Sequence, residues 1–105
     1  MSAKNGASPS PSELNRLLEH YQNGRYDDAE KSAISLSKQF PHHNFSWKIL
    51  GEVLKNTGRL SEAVFAGKKT VEINPDDAEA HYNLGNTLQE LRRLEESEVS
   101  YKQAI

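Results

Sequence analysis

The chain contains no cysteine among its 105 residues. This absence excludes disulfide bonds, zinc sites built on thiolates and cysteine nucleophiles, and it fits a reducing compartment. No apolar run approaches the roughly 20 residues of a membrane-spanning helix. Residues 1–11 also lack the apolar stretch of a secretory signal peptide. These absences predict a soluble, cytoplasmic protein that has no membrane partner.

Clustered positive charge is missing as well. The chain has 13 Lys and Arg residues against 15 Asp and Glu residues, a net charge of −2. The basic side chains are interleaved with acidic ones, as Lys55 is with Glu52, which indicates solvated helix faces. Because nucleic-acid binding needs a clustered positive surface, no nucleic-acid partner is expected.

Helix signals dominate what is present. Residues 1–11 are rich in Ser and Pro and have little to bury, so they predict a flexible tail. Ser10 is then expected to cap a helix that begins at Pro11, with Glu13 completing a capping box. No later stretch shows the sustained alternation of a strand. The sequence predicts an all-α fold.

Six helices are expected, separated by turn residues. The expected segments are 11–22, 26–40, 44–57, 61–73, 76–92 and 95 to the end of the sequence. The breaks follow from Gly24, Pro41, Gly58 and Pro75, which interrupt helical patterns. Asp76 is expected to cap the fifth helix.

The helices repeat with a period of 34 residues, the spacing that separates Gly24 from Gly58 and Pro41 from Pro75. Residues 44–71 laid on residues 78–105 give seven identities: Leu50/Leu84, Gly51/Gly85, Leu54/Leu88, Arg59/Arg93, Leu60/Leu94, Glu62/Glu96 and Lys68/Lys102. This self-similarity predicts stacked helical hairpins that bury a shared core.

The repeated residues predict how each hairpin packs. A mid-helix glycine costs about 1 kcal/mol relative to alanine, so Gly51 and Gly85 indicate a crossing too close for a Cβ atom. Ala29 and Ala63 are expected to supply small side chains from the partner helix. The repeated leucines are expected to fill the space between helices.

These residues resemble the signature of the tetratricopeptide repeat family. The second unit carries the resemblance through Trp47, Leu50, Gly51, Leu54, Gly58, Ala63 and Pro75, and departs from it at Gly67 and Thr70. The third unit matches at Tyr82, Leu84, Gly85, Leu88, Tyr101 and Ala104, and departs at His81, Arg92 and Ser97. The resemblance implies a right-handed solenoid of antiparallel hairpins over residues 12–105, with repeats at 12–43, 44–77 and 78–105, the last incomplete.

The resemblance also implies a binding surface. In this family the first helix of each hairpin lines a concave groove that receives a peptide or a partner helix. The residues carried over to that groove are Leu18, Tyr21, Lys48, Glu52, Lys55, Asn56, Tyr82, Asn83, Asn86, Gln89 and Glu90. The alternative is that these are only the polar faces of solvated helices. The expected function is a protein–protein interaction scaffold without catalytic residues of its own.

More specific ligands are weighed against individual residues. A clamp for a C-terminal carboxylate would match at Lys48 and Asn83, but Glu52 would repel the carboxylate. An asparagine ladder for extended substrates would match at Asn15 and Asn83, and Ile49 interrupts it. No metal or cofactor is expected, since His42 and His43 have no acidic residue at ligand spacing.

Two further functions stay open at this level. The residue pattern of the repeats resembles segments that precede glycosyltransferase or sulfotransferase domains. The chain is therefore alternatively a substrate-targeting segment of a larger enzyme. It is also alternatively a structural module that self-associates through an exposed C-terminal hairpin, with Leu88, Val99 and Tyr101 as apolar contacts.

Overall fold

The computed structural model describes the backbone of residues 8–104 and the side chains of residues 8–95. Within residues 8–104 helices joined by short turns make up the structure, and no strand occurs. The helices are α1 (Pro11–Gln22), α2 (Tyr26–Gln39), α3 (Asn44–Asn56), α4 (Leu60–Ile73) and α5 (Ala78–Ala104). The all-α class is therefore confirmed, although five helices occur where six were predicted.

The start of α1 follows the predicted capping box. The backbone N–H of Glu13 donates to the Ser10 hydroxyl at 3.2 Å, and the Ser10 N–H donates to the Glu13 carboxylate at 2.9 Å. Pro11 occupies the first helical position, where its missing N–H leaves no hydrogen bond unmade. Pro9 is buried, while residues 1–7 of the predicted tail lie outside the described residues.

The turns inside the first two hairpins have the same geometry. Gly24 and Gly58 have φ angles of +73° and +79°, in the left-handed region that favours glycine. The residue after each glycine donates its N–H to a carbonyl five positions earlier, from Arg25 to His20 at 2.9 Å and from Arg59 to Leu54 at 2.8 Å. This Schellman arrangement ends the first helix and reverses the chain. The repeat predicted from the sequence is confirmed at both turns.

The third hairpin does not form the turn that was predicted near Arg92. Helix α5 instead continues through that position to Ala104, so the separate sixth helix from about Glu95 is wrong. Arg92 stands 34 residues after Gly58, where the first two hairpins have glycine. A left-handed conformation costs a non-glycine residue about 1–2 kcal/mol, and between residues 8 and 104 no such residue has positive φ. The helix therefore continues where glycine would have ended it.

The cap of α5 is also one residue later than predicted. The helix begins at Ala78, and the Ala80 N–H donates to the Asp77 carboxylate at 3.0 Å. Asp77 is thus the capping residue, and Asp76 is exposed.

The core lies between successive helices, which pack α1 on α2, α2 on α3, α3 on α4 and α4 on α5. Its main cluster consists of Leu17, Ala29, Ala33, Leu36, Phe40, Ile49, Leu50, Val53, Leu54, Ala63 and Ala66. Ala29 and Ala63 are buried as small residues, as expected. Trp47 is only partly buried at the edge of this cluster.

The predicted reason for the mid-helix glycines is wrong. A Cβ atom at Gly51 would lie 3.7 Å from the Ala66 Cβ, an ordinary contact, and one at Gly85 would meet no described atom within 4 Å. Leu88, expected to fill the space between helices, is 42% exposed. Both departures have one cause: α5 continues unbroken to Ala104, so among the described residues no second helix of the hairpin covers Gly85 as α4 covers Gly51. The closest approach is instead at Gly67, where a Cβ would lie 3.0 Å from Leu84 Cδ1.

Candidate functional site

The first helices of the three units, α1, α3 and α5, are joined by polar contacts along one side of the array. The Asn56 amide on α3 donates to the Tyr21 hydroxyl on α1 at 3.3 Å. The Lys55 ammonium on α3 lies 3.6 Å from the Glu90 carboxylate on α5. These contacts bring four of the predicted groove residues together; we call the side of α1, α3 and α5 that carries them the first-helix face.

Tyr21 and Leu18 anchor the α1 part of the first-helix face to the core. Both are partly buried and pack against the core cluster, and the Tyr21 ring lies 6.0 Å from the Tyr26 ring. Burial raises the pKa of Tyr21, the hydrogen bond from Asn56 opposes this effect, and the Glu52 carboxylate adds to it. Tyr21 is therefore a neutral hydroxyl at physiological pH, and its hydrogen bond with Asn56 joins α1 to α3.

Lys48 is engaged by two carboxylates near the start of α5. Its ammonium lies 2.8 Å from Asp77 and 3.2 Å from Glu79. The hydrogen bond to Asp77 raises the pKa of Lys48, and the same bond, aided by the Ala80 N–H, lowers the pKa of Asp77. A Lys48 already paired in this way is poorly placed to hold a C-terminal carboxylate, which adds to the argument from Glu52.

The α5 part of the first-helix face is the most accessible. The Tyr82 side chain is 70% exposed, and Gln89 is also exposed. Asn83 and Asn86 lie half-buried beside it. The depression that Lys48, Glu52 and Asn83 help to line has a volume of only about 20 Å³, which is room for about one water molecule. This surface can offer an aromatic ring and amide hydrogen bonds, but it cannot enclose a small molecule.

His81 takes over one contact of Trp47 in the next repeat. The Trp47 indole N–H donates to the Pro41 carbonyl at 3.2 Å, and the His81 Nε2 lies 2.8 Å from the Pro75 carbonyl. His81 stands 34 residues after Trp47, and Pro75 stands 34 residues after Pro41. His81 is exposed, however, so it preserves the polar contact between helix and turn without the packing.

Two features were missed in the sequence. Asp77 is the partner of Lys48, and its position next to the expected cap Asp76 was the available signal. Phe65 is 58% exposed and lines a cleft away from the first-helix face. Its repeat equivalents are Lys31 and Val99, so the comparison of repeats gave no indication of it. Among the described residues, no group of three or more His, Asp or Glu side chains could hold a metal ion.

Models of known protein families match the chain from residue 51 onward. A model described as TPR repeat matches residues 51–91, and one described as tetratricopeptide repeat matches residues 78–105. Together they cover 55 of the 105 residues. The chain belongs to the tetratricopeptide repeat family. Its hairpin fold and the Gly24 and Gly58 turns agree with that membership.

Similar curated proteins align with about half of this tetratricopeptide chain. Protein O-mannosyl-transferase Tmtc3 of Drosophila melanogaster is 40% identical over 55 residues, which are 52% of this chain and 6% of that protein. Protein O-mannosyl-transferase TMTC3 of Homo sapiens is 34% identical over 58 residues, which are 55% of this chain and 6% of that protein. The Mus musculus protein of the same name is 34% identical over 55 residues, again 6% of its length. The similarity thus covers a small part of each relative.

Proposed function

We propose that this chain is an interaction scaffold that binds an extended peptide or a partner helix on its first-helix face. The observation that carries the proposal is the continuous row formed by α1, α3 and α5, joined by the Tyr21–Asn56 and Lys55–Glu90 contacts. Tetratricopeptide repeats in general mediate binding of protein partners. The shallow surface near Asn83 supports a polypeptide as the ligand, since it is too small for an enclosed molecule.

The proposed recognition uses contacts other than a strong charge. Tyr82 offers an exposed aromatic ring, which suits the apolar part of a side chain. The amide groups of Asn83 and Asn86 can donate and accept hydrogen bonds along an extended backbone. Lys48 and Lys55 already face carboxylates, so they contribute little net attraction for an acidic partner.

Affinity measurements with variants test this proposal. Peptides of 12 residues are selected from a display library against the whole chain, and their dissociation constants are measured by fluorescence polarisation. Loss of a buried aromatic contact is worth about 1.5–3 kcal/mol, so we expect Tyr82→Ala to weaken the selected peptides about tenfold or more. Lys68→Ala, an exposed site on α4, is the matched control and is expected to change nothing. A Tyr82→Ala variant that binds every selected peptide as tightly as the wild type does would contradict the proposal.

A second proposed function is that of a repeat segment within a larger glycosyltransferase-type enzyme. The relatives are named O-mannosyl-transferases, which favours it over the sulfotransferase alternative, and the similar stretch is 6% of each, as expected of a segment of a larger protein. Sequencing the transcript beyond the Ile105 codon tests it directly. A reading frame that continues into a catalytic domain would support this function, and an immediate stop codon would contradict it.

A third proposal is self-association through the uncovered side of α5. Leu88 is 42% exposed there, and the space next to Gly85 is open. We expect the molar mass from light scattering to rise with concentration, and Leu88→Glu to abolish the rise. A constant monomer mass would exclude self-association.

The cytoplasmic location predicted from the sequence is likewise a proposal. Between residues 8 and 104, none of the helices combines the length and the apolar character required to cross a membrane. Microscopy of the full-length protein fused to a fluorescent tag would test the location, and signal confined to a membrane-bound compartment would contradict it.

A further inference from the structure

An apolar cleft lies on the side of α3 that points away from the first-helix face. Its floor includes Trp47, Leu50 and Leu54 of α3, and its walls are contributed by α2 and α4. Since successive residues of an α-helix are about 100° apart, these three positions lie roughly 100–160° around α3 from Lys48 and Glu52. The cleft is therefore a separate surface, and the proposed peptide-binding function does not use it.

The cleft is apolar and has a substantial volume. It is open to solvent and has a volume of about 340 Å³, near the lower end of the roughly 300–1,000 Å³ typical of ligand sites. Phe65 forms part of one wall with 58% of its surface exposed, and its ring lies 6.3 Å from the Trp47 ring in an edge-on arrangement. Ile34 on α2 forms part of the opposite wall. An exposed aromatic wall that the repeat does not require is a feature of interaction surfaces.

One end of the cleft is acidic. Glu30 and Glu62 line this end, and Arg59 pairs with both of them, with Glu62 at 3.8 Å. Asp27 also acts on the Arg59 charge. Two carboxylates, those of Glu30 and Glu62, therefore line this end and share one guanidinium. Glu62 is the most accessible of the paired carboxylates, with 63% of its side chain exposed.

A basic side chain, Lys69, lies beside the other end of the cleft, next to Phe65. The Lys69 ammonium lies 5.8 Å from the centre of the Phe65 ring, a favourable cation–π distance. Glu62 and Lys69 lie on opposite sides of Phe65 along α4, so charge changes sign across the apolar wall. A ligand that crosses the cleft therefore meets negative, apolar and positive surface in that order.

We propose that this cleft is a second interaction site, which takes a bulky apolar side chain of a partner polypeptide together with a neighbouring Lys or Arg. The apolar side chain enters between Ile34 and Phe65, and the basic group faces Glu62. Residues three apart on a helix lie about 5–6 Å from each other, so the Glu62-to-Phe65 spacing suits a partner helix that carries its two groups one turn apart. Lys69 fixes the direction, since it disfavours the basic group at its own end.

Trp47 makes the site measurable, because it is the only tryptophan in the chain and lies within the cleft. Two tryptophan-free helical peptides serve as probes: one carries Phe followed three residues later by Lys, and the other has Glu in place of that Lys. We expect the Lys peptide to change the Trp47 emission and to bind at least about fivefold more tightly than the Glu peptide. Glu62→Lys should reverse that preference, and Phe65→Ala should weaken both peptides.

The controls separate this site from the first-helix face. Tyr82→Ala is expected to leave the Trp47 response unchanged, and circular dichroism checks that each variant keeps its helix content. Equal binding of the two peptides to the wild type would overturn the charge assignment. Binding that leaves Trp47 emission unchanged or is lost in Tyr82→Ala would overturn the cleft itself, whereas failure of the first-helix face to bind any peptide would leave the cleft result intact.

Discussion

Replacing Gly58 with alanine should destabilise the chain, whereas the same replacement at Gly85 should stabilise it. Gly58 has a φ of +79° in the turn between α3 and α4, and that conformation costs alanine about 1–2 kcal/mol. Alanine has less conformational freedom than glycine in the unfolded chain, and this difference stabilises the folded state by roughly 0.4–1 kcal/mol. The expected result for Gly58→Ala is a net loss of about 1 kcal/mol in the free energy of unfolding.

Gly85→Ala is the matched change, since it adds the same methyl group to a helix interior. A Cβ atom there meets no described atom within 4 Å, so no steric cost opposes the helix preference of alanine. We expect a gain of about 0.5–1 kcal/mol, and therefore a difference of roughly 1.5–2 kcal/mol between the two variants. Urea unfolding followed by circular dichroism measures both. A Gly58 variant as stable as the wild type, or a Gly85 variant as damaged as the Gly58 one, would refute the assigned backbone geometry.

Two further predictions concern α5. Spin labels at Glu79→Cys and Gln103→Cys should lie about 36 Å apart along a continuous helix. Adding Arg92→Gly should give a second population of molecules with a distance of about 10 Å, the spacing of paired helices. An unchanged distance distribution would contradict the role given to Arg92. Asp77→Asn keeps the cap but loses the ion pair with Lys48, so it should be less stable than the wild type at neutral pH. The pKa of Asp77 is lower in the folded chain than the ordinary value of 3.8. The stability that the ion pair adds is therefore fully present at pH values above 3.8, and it is lost as the pH falls through the folded pKa. Unfolding curves at several pH values should therefore converge in acid, and a gap that persists there would refute the ion pair's contribution.

The hairpin architecture was predictable because its determinants are local. Gly24 and Gly58 act through the backbone conformation of a single turn, and the capping box at Ser10 acts over three residues. Such signals can be read from spacing alone. The same reasoning overextended the repeat to Arg92, where the identities on either side suggested a turn that the missing glycine does not allow.

The surfaces were harder to predict because they depend on contacts between distant residues. The pairing of Lys48 with Asp77 joins positions 29 residues apart, and it neutralises a lysine that matched one position of the carboxylate clamp. The cleft beside Phe65 needs α2, α3 and α4 to be in place before it exists. No local pattern encodes either feature, although the positions of the groove residues on first helices followed from the family resemblance.

The central proposal, peptide binding on the first-helix face, is tested most directly by the side-chain amide signals of its asparagines. In a nitrogen-15 NMR titration with a selected peptide, we predict that the Asn83 and Asn86 side-chain amide resonances shift as the peptide saturates the chain. The Trp47 indole resonance, which reports on the cleft, should stay in place for the same peptide. Asparagine signals that remain unmoved by every peptide that binds would contradict the proposal.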